Sequence, residues 1–386
     1  LASYVFYMFW KVEYIFLIIG STLVDYFCGK GIEKATSSSR KKLILAISLV
    51  VNFGTLFGFK YLNFFKSSVN DVFEIVGSDT HLGIGEIILP VGISFYTFQT
   101  LSYSIDIYRG KLKAEKHLGY FALYVCFFPQ LVAGPIERFS SLTPQFKEKV
   151  KFNYENISNG FRLMLFGFFT KMVIADNLSP IVDAIYQTPE KFHSSSVFLG
   201  ISMYSFQIYA DFFGYSLIAI GSARLLGIKL MDNFKAPYLS KNIGEFWQRW
   251  HISLSTWFRD YLYVPIGGNK VAYFRWILNI LIVFLVSGLW HGANWTFVIW
   301  GAAHGLLYLS ERWTNQLFGR KPSDKKMKWW HPLLMIKTFV FTTFIWIFFR
   351  SQDMEQTQNI FAAIFTNFNL PIDFSVFTLS TVLFLV

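Results

Sequence analysis

Apolar runs separated by short polar loops make up most of this chain. A helix needs about 20 predominantly apolar residues to cross a bilayer. Tyr14 to Phe27 reads as the visible part of a first spanning segment and Leu43 to Phe65 as a second. Between them, Lys30, Lys34, Arg40, Lys41 and Lys42 stand against Glu33 alone. Short basic loops stay cytoplasmic, so the second segment runs outward, to a stretch holding Asp71, Glu74 and Asp79. Ile84 to Ile107 returns, with Gln99 and Asp106 on board. Pro90 and Gly92 predict a break in it, either a proline kink or a discontinuous helix facing protein or a wet cavity. Arg109 to Lys116 is again cytoplasmic.

The parity then fails. Leu118 to Ala133 is apolar enough to cross, yet Lys147, Lys149 and Lys151 beyond it also look cytoplasmic. The segment is therefore expected to be re-entrant or to lie in the membrane plane. Phe161 to Leu178 crosses outward carrying Lys171 and Asp176, an internal pair cheaper to bury together than apart. Val197 to Ile220 comes back. On it Gln207, Asp211 and Tyr215 share one helix face, which must meet protein or water; an interhelical hydrogen-bond network is the simplest account of that stripe.

Arg224, Lys229 and Lys235 mark another inner loop. On a helical wheel Trp247, Trp250, Leu254, Trp257, Phe258 and Tyr261 share a face opposite Arg249, Ser255, Thr256 and Arg259, with His251 at the boundary. This predicts an amphipathic element at the cytoplasmic interface or under the bundle, ended by the turn residues Pro265 to Asn269. Trp276 to Leu289 and Trp295 to Leu309 then form a hairpin of two arms, each short for a full span, with Trp290 to Asn294 as the turn. A basic loop follows (Arg312, Arg320, Lys321, Lys325, Lys326, Lys328), and Leu333 to Phe349 leads out to Asp353 and Glu355. No inverted repeat of the transporter kind is visible.

Composition agrees. The chain is 53% hydrophobic, 20% aromatic and 15% charged, against about a quarter charged in soluble domains. An all-α, polytopic transmembrane bundle is expected. The net charge of +11 sits in short loops, so it orients the protein in a membrane and does not argue for nucleic acid. Two cysteines, Cys28 and Cys126, give neither a disulfide framework nor zinc spacing; an acyl-cysteine at Cys126 competes with the simpler reading of a packing residue. The chain begins at Leu1 and stops at Val386 inside aromatic or apolar runs, so one integral-membrane domain is expected, continued by another helix or so at each end.

Histidines inside apolar sequence are costly and usually face a bundle interior or a wet cavity. His251, His291 and His304 are such residues. An interfacial aromatic belt is the alternative for His251 and, less readily, for His291; His304 reads as a packing residue. Acyl transfer from a thioester to a hydroxyl needs a base, donors for the oxyanion and exclusion of water. A buried neutral imidazole meets the first need. Gly288 and Gly292 would let a substrate approach the backbone, and Asn294 or Trp amides would supply donors. There is no Gly-x-Ser-x-Gly elbow, so direct transfer is favoured over a serine acyl-enzyme.

NIGEFWQRWHISLSTWFRDYLYVPIGGN (242–269) followed by SGLWHGANWTFVIWGAAHG (287–305) resembles the membrane-bound O-acyltransferase family. The likeness is greatest to the branch of bacterial alginate O-acetyltransferase, with the teichoic-acid D-alanyl transferases next. The resemblance implies histidine-dependent transfer, with His291 as the family's invariant histidine and His251 as its second. It matches Asp211 in YADFFGYS, Asp176 in VIADNL, and Gly134, Pro135 and Arg138 in LVAGPIERF. Trp290, Trp250, Arg249 and Asn294 complete the expected pocket. No bound cofactor or metal is implied. The implied donor is acetyl-CoA or another acyl thioester, and the implied acceptor is an exported polysaccharide, reached through an extracytoplasmic esterase-like partner. A D-alanyl transferase using an acylated carrier protein is the alternative within the family. A proton-coupled transporter, which buried charges and broken helices also suit, is the alternative outside it.

Overall fold

In hydrocarbon each backbone group must find its partner within the protein, and helices do this locally. The computed structural model describes residues 1–78, 82–83, 90–132, 134–318 and 328–371, and no strand occurs among them. The expected sites at Asp79, Ile84 to Leu89, Ala133, Arg320, Lys321, Lys325 and Lys326 lie outside the described residues. The chain divides into two compact units, Leu1–Phe161 with Ala219–Met231, and Arg162–Ile218 with Asp232–Val386.

The first unit contains α1 (Ala2–Met8), α2 (Ile15–Lys34) and α3 (Ser38–Leu56), which passes through a π-helical turn (Phe57–Tyr61) into α4 (Leu62–Ile75). It continues with α5 (Ile93–Tyr108), α6 (Leu118–Cys126), α7 (Phe128–Leu131), α8 (Phe139–Lys147) and the start of α9 (Tyr154–Phe168). Helices α2, α3 and α5 pack around Asp25, which is fully buried. Its Oδ1 accepts the Ser48 and Ser104 hydroxyls at 2.5 Å each, and its Oδ2 accepts Asn52 Nδ2 at 2.7 Å. Three donors offset the cost of placing a carboxyl in an apolar helix.

On the near side of Pro90 and Gly92, α5 starts at Ile93 with Gly92 left-handed at its N-cap; the expected helix on the far side lies outside the described residues. The segment from Leu118 is not a spanning helix. Helix α6 has nine residues, about 14 Å of rise against a hydrocarbon core of about 30 Å, and the chain breaks at Phe127 before α7. Cys126 is buried within it. Cysteines introduced at Thr36 or Ser37, in the short connection between α2 and α3 that Lys34 and Arg40 flank, are expected to resist an impermeant thiol reagent on intact cells. Labelling there would reverse the assigned orientation.

Glu137, in the segment before α8, is 1% exposed and accepts the Met231 amide at 2.5 Å. Burial pushes its carboxyl up to about 7. The folded state therefore holds this proton more tightly than the unfolded chain, and stability is lost as pH rises from the ordinary carboxyl range through about 7. Glu137→Gln keeps the acceptor without the charge, so it should raise the thermal midpoint at pH 8 and leave it unchanged at pH 4.

The second unit holds the rest of α9, a π-helical turn (Phe169–Ala175), α10 (Asp176–Gln187) and α11 (Ser194–Leu225) as far as Ile218. Two short helices follow, α12 (Ile243–Arg249) and α13 (Ile252–Phe258), then a π-helical turn (Arg259–Tyr263). The unit ends with α14 (Tyr273–His291), α15 (Trp295–Leu317), α16 (His331–Arg350) and α17 (Met354–Thr366). Its core is aromatic: Phe246, Trp250, Trp300 and Trp346 are buried among Ile243, Ile347 and Ile360.

Among the described residues, five helices are long and apolar enough to cross a membrane: Val12–Lys34, Ser38–Ile75, Tyr154–Gln187, Tyr273–His291 and His331–Arg350. Helix α11, with 32 residues, extends about 48 Å, so the expected return through Val197 to Ile220 is a continuous helix. Two expectations need correction. The single amphipathic helix through Trp247 and Tyr261 is two helices, broken at Trp250 and His251. Trp290 and His291 are not in the hairpin turn but form the last turn of α14, whose 19 residues make that arm long enough to span; only Gly292 to Asn294 connect it to α15.

Candidate active site

His251 is set by backbone before it is set by packing. Its φ of 43° and ψ of 55° are left-handed, which costs a non-glycine residue roughly 1–2 kcal/mol. The surrounding chain holds it there. Arg249 O accepts the Lys235 amide at 2.9 Å, and the Ile252 amide donates to Asn233 O at 2.9 Å. Asn233 is itself buried; its Oδ1 accepts the Ser253 amide at 3.4 Å, and its Nδ2 donates to Ser216 Oγ at 3.3 Å. His251 O then accepts the Ser255 amide at 3.0 Å, which begins the hydrogen bonding of α13. A strained residue that its neighbours over-determine is a mark of function. Asn233 escaped sequence reasoning because an asparagine in a polar loop gives no periodic signal.

The turn buries the His251 ring, which is 1% exposed, instead of leaving it at the edge of an amphipathic face. Phe212 packs edge-on at 4.7 Å and Trp290 lies 6.0 Å away. Burial pushes the imidazole down to about 3, so it is neutral at physiological pH.

His291 approaches from the end of α14. It is half-buried, 5.0 Å from Trp290, 5.1 Å from Trp300, 5.2 Å from Phe349 and 6.3 Å from His251, ring centre to ring centre. Hydrogen bonds reach about 2.7–3.2 Å, so two imidazoles at this spacing can both address one oxygen between them. Forty residues of sequence separate the two histidines, and the fold makes them neighbours. His304 lies one aromatic ring further on: Trp300 is 5.0 Å from it, Trp247 4.9 Å, and Phe246 stacks at 6.3 Å. It is fully buried, and neither ring nitrogen bonds to a described group.

The other expected residues fall into two groups. Trp290 stays at the histidine pair. Trp250 packs in the aromatic core, stacked on Phe246 at 5.5 Å and 5.0 Å from Trp346. Arg249 pairs with Glu245 at 2.6 Å, and Glu245 closes the start of α12 by accepting the Lys241 amide at 2.8 Å. Both residues shape the platform under His251. Asn294 is committed as the N-cap of α15, accepting the Thr296 amide at 3.1 Å, while its Nδ2 donates to Gln352 O at 2.6 Å. That amide is not aimed at a reacting oxygen, contrary to the expectation. Nor do Gly288 and Gly292 open the backbone to a substrate, because Phe297 of α15 fills the space beside both.

Asp176 and Asp211 do come together, on Lys171, whose Nζ lies 2.7 Å from one carboxylate oxygen of each. The expected Lys171–Asp176 pair is thus a triad. Lys171 belongs to the π-helical turn after α9. The close approach of α11 requires Gly214, where a Cβ would stand 2.9 Å from the Lys171 amide and 2.7 Å from Gly167 O. The triad lines a cleft of about 300 Å³ together with Ala175, Ser179, Tyr204, Gln207, Ile208 and Phe349. Phe349 is therefore shared: it lines the cleft and packs on His291.

Known proteins include relatives of this chain. Residues 116–352 match the model of the membrane-bound O-acyltransferase family. The chain is 39% identical over 368 residues to the probable alginate O-acetylase AlgI of Azotobacter vinelandii, covering 95% of this chain and 71% of that protein. It is 36% identical over 388 residues to the peptidoglycan O-acetyltransferase of Helicobacter pylori, covering 93% and 72%. A shorter match, 32% over 271 residues, covers 66% of this chain and 67% of the teichoic acid D-alanyltransferase of Bacillus subtilis. With a matching family model over most of the chain, these relatives and the paired histidines in a multi-pass helical bundle, the chain belongs to the membrane-bound O-acyltransferase family.

Proposed function

We propose that this acyltransferase moves an acetyl group from a cytoplasmic thioester, acetyl-CoA, to a hydroxyl of an exported polysaccharide, directly or through an extracytoplasmic partner, with His291 as the base. The observation that carries the reading is the meeting of His291 with a buried, neutral His251 among the rings of Trp290, Trp300 and Phe349. His291 takes the proton of the attacking hydroxyl as its oxygen bonds to the thioester carbonyl carbon. His251 orients the same oxygen or donates to the developing oxyanion. The carbon–sulfur bond then breaks, and the departing thiolate recovers the proton from His291. The aromatic walls keep water from the thioester.

The choice of an acetyl group over D-alanine is supported by coverage: the O-acetylating relatives align with 93% or more of this chain, and the D-alanyl transferase with 66%. The test uses the purified chain in nanodiscs with radiolabelled acetyl-CoA, or with a D-alanyl carrier protein, and a glycan acceptor. Label should pass from acetyl-CoA alone. Transfer of D-alanine alone would replace the donor assignment, and no acyl transfer from either would sink the proposal.

A further inference from the structure

The cleft around Lys171 has its own chemistry. Two carboxylates and one ammonium leave it with one net negative charge, and Asp176 and Asp211 remain about half exposed. Lys171 engages one oxygen of each carboxylate and leaves the others to accept. Gln207 also lines it, with a buried carbonyl oxygen that takes no hydrogen bond from any described group. The lining is thus rich in acceptors, and it asks for a ligand that brings donors without negative charge. Ile208 and Phe349 supply an apolar wall, against which the C–H face of a sugar ring can pack. The volume lies at the lower end of the roughly 300–1,000 Å³ of small-molecule sites.

Location gives the cleft a purpose. Phe349 is the ring between it and His291, 5.2 Å from the imidazole. Neighbouring charge is already neutralised: Asp183, which accepts the Ser179 hydroxyl at 3.2 Å, is paired with Arg350. The negative character therefore stays concentrated at Asp176 and Asp211. A carboxylate-bearing unit such as a uronate would meet like charge there, which costs binding.

We propose that the Lys171–Asp176–Asp211 cleft is the acceptor subsite, and that it takes a neutral, hydroxyl-rich saccharide unit in preference to a uronate. This rests on the acyl-transfer reading and names its acceptor end. Donor hydroxyls of the sugar bond Asp176, Asp211 and Gln207. Its apolar face lies on Phe349, and the acceptor hydroxyl is directed past that ring to His291.

Binding can be read without turnover. Saturation-transfer NMR on the full chain in nanodiscs, with no acyl donor, would compare methyl glucoside with methyl glucuronide. The glucoside should be saturated several-fold more strongly. Asp176→Asn with Asp211→Asn leaves Lys171 as an unopposed cation and should reverse the order. Gln207→Leu, which changes no charge, should weaken the glucoside signal several-fold and guards against misfolding of the double variant. Equal or stronger glucuronide signal in the unaltered chain, no signal from either sugar, or an unchanged order in the double variant would each overturn the assignment. So would saturation of a seryl peptide in place of the glucoside, which would make the acceptor a partner protein's hydroxyl. His291→Ala should keep the glucoside signal while losing acetyl transfer. If the unaltered chain binds glucoside yet transfers no acetyl group, the functional reading fails and the cleft stands. If it transfers acetyl without binding glucoside, the functional reading stands and the cleft is not the acceptor subsite.

Discussion

His291→Ala is expected to lose acyl transfer by on the order of 10²–10⁴-fold, the range of a general base, while the protein still inserts and elutes as a single species. His291→Gln preserves bulk and a hydrogen-bonding group but not basicity, and it should be as inactive. The side chain is half-buried and packs against the rings of Trp290, Trp300 and Phe349. His251→Gln separates the two roles. An orienting donor is partly replaced by the amide, so a residual rate above that of His291→Gln is expected. Substantial transfer by His291→Gln, measured with labelled acetyl-CoA, would move the base to His251.

The second large effect lies in the packing that carries His291. A Cβ on Gly288 would stand 2.2 Å from Phe297 O, and one on Gly301 would stand 2.3 Å from Phe284 O. Both clashes are with backbone, so no rotamer relieves them. Inserting atoms into packed interiors commonly costs about 1–3 kcal/mol and sometimes more; here α14 and α15 must separate along their whole contact. Gly288→Val should therefore abolish recovery of monodisperse protein, and Gly288→Ala should lower the thermal midpoint strongly. Gly20, where a Cβ meets nothing within 4 Å, is the control: Gly20→Ala should behave like the unaltered chain. Normal yield and midpoint for Gly288→Ala would show that the hairpin is looser than described.

Much of this molecule was readable in advance because bilayer physics is one-dimensional. Segments such as Leu43 to Phe65 and Leu333 to Phe349 declare themselves through length and apolarity, and the parity of basic loops exposed the short element at Leu118. What escaped was three-dimensional. A helical wheel drawn through Trp247 and Tyr261 assumes constant rotation per residue, and the left-handed His251 breaks that assumption, turning an edge position into a buried one. Glycines 288 and 292 looked like room for a substrate because a sequence cannot show that a facing helix occupies the space. Asp25 was passed over because one carboxyl in an apolar run gives no pattern until Ser48, Asn52 and Ser104 arrive from other helices. The pairing of Asp176 with Lys171 was local enough to see, whereas Asp211 joined from a different helix.

The π-helical turns have a consequence for how this chain tolerates length changes. A π turn accommodates one residue more than the α-helical path it interrupts. Between α9 and α10 that surplus falls within Phe169–Ala175 and includes Lys171. Because the turn absorbs that residue, Lys171 and Asp176, five residues apart, fall on one side of the helix; on an α-helical path the same spacing would set them about 140° apart. Deleting one residue between them would restore an α-helical path at four-residue spacing, with ammonium and carboxylate still on the same side. The cleft thus tolerates a homologous helix that is one residue shorter in this turn, so long as every side chain of the triad is kept.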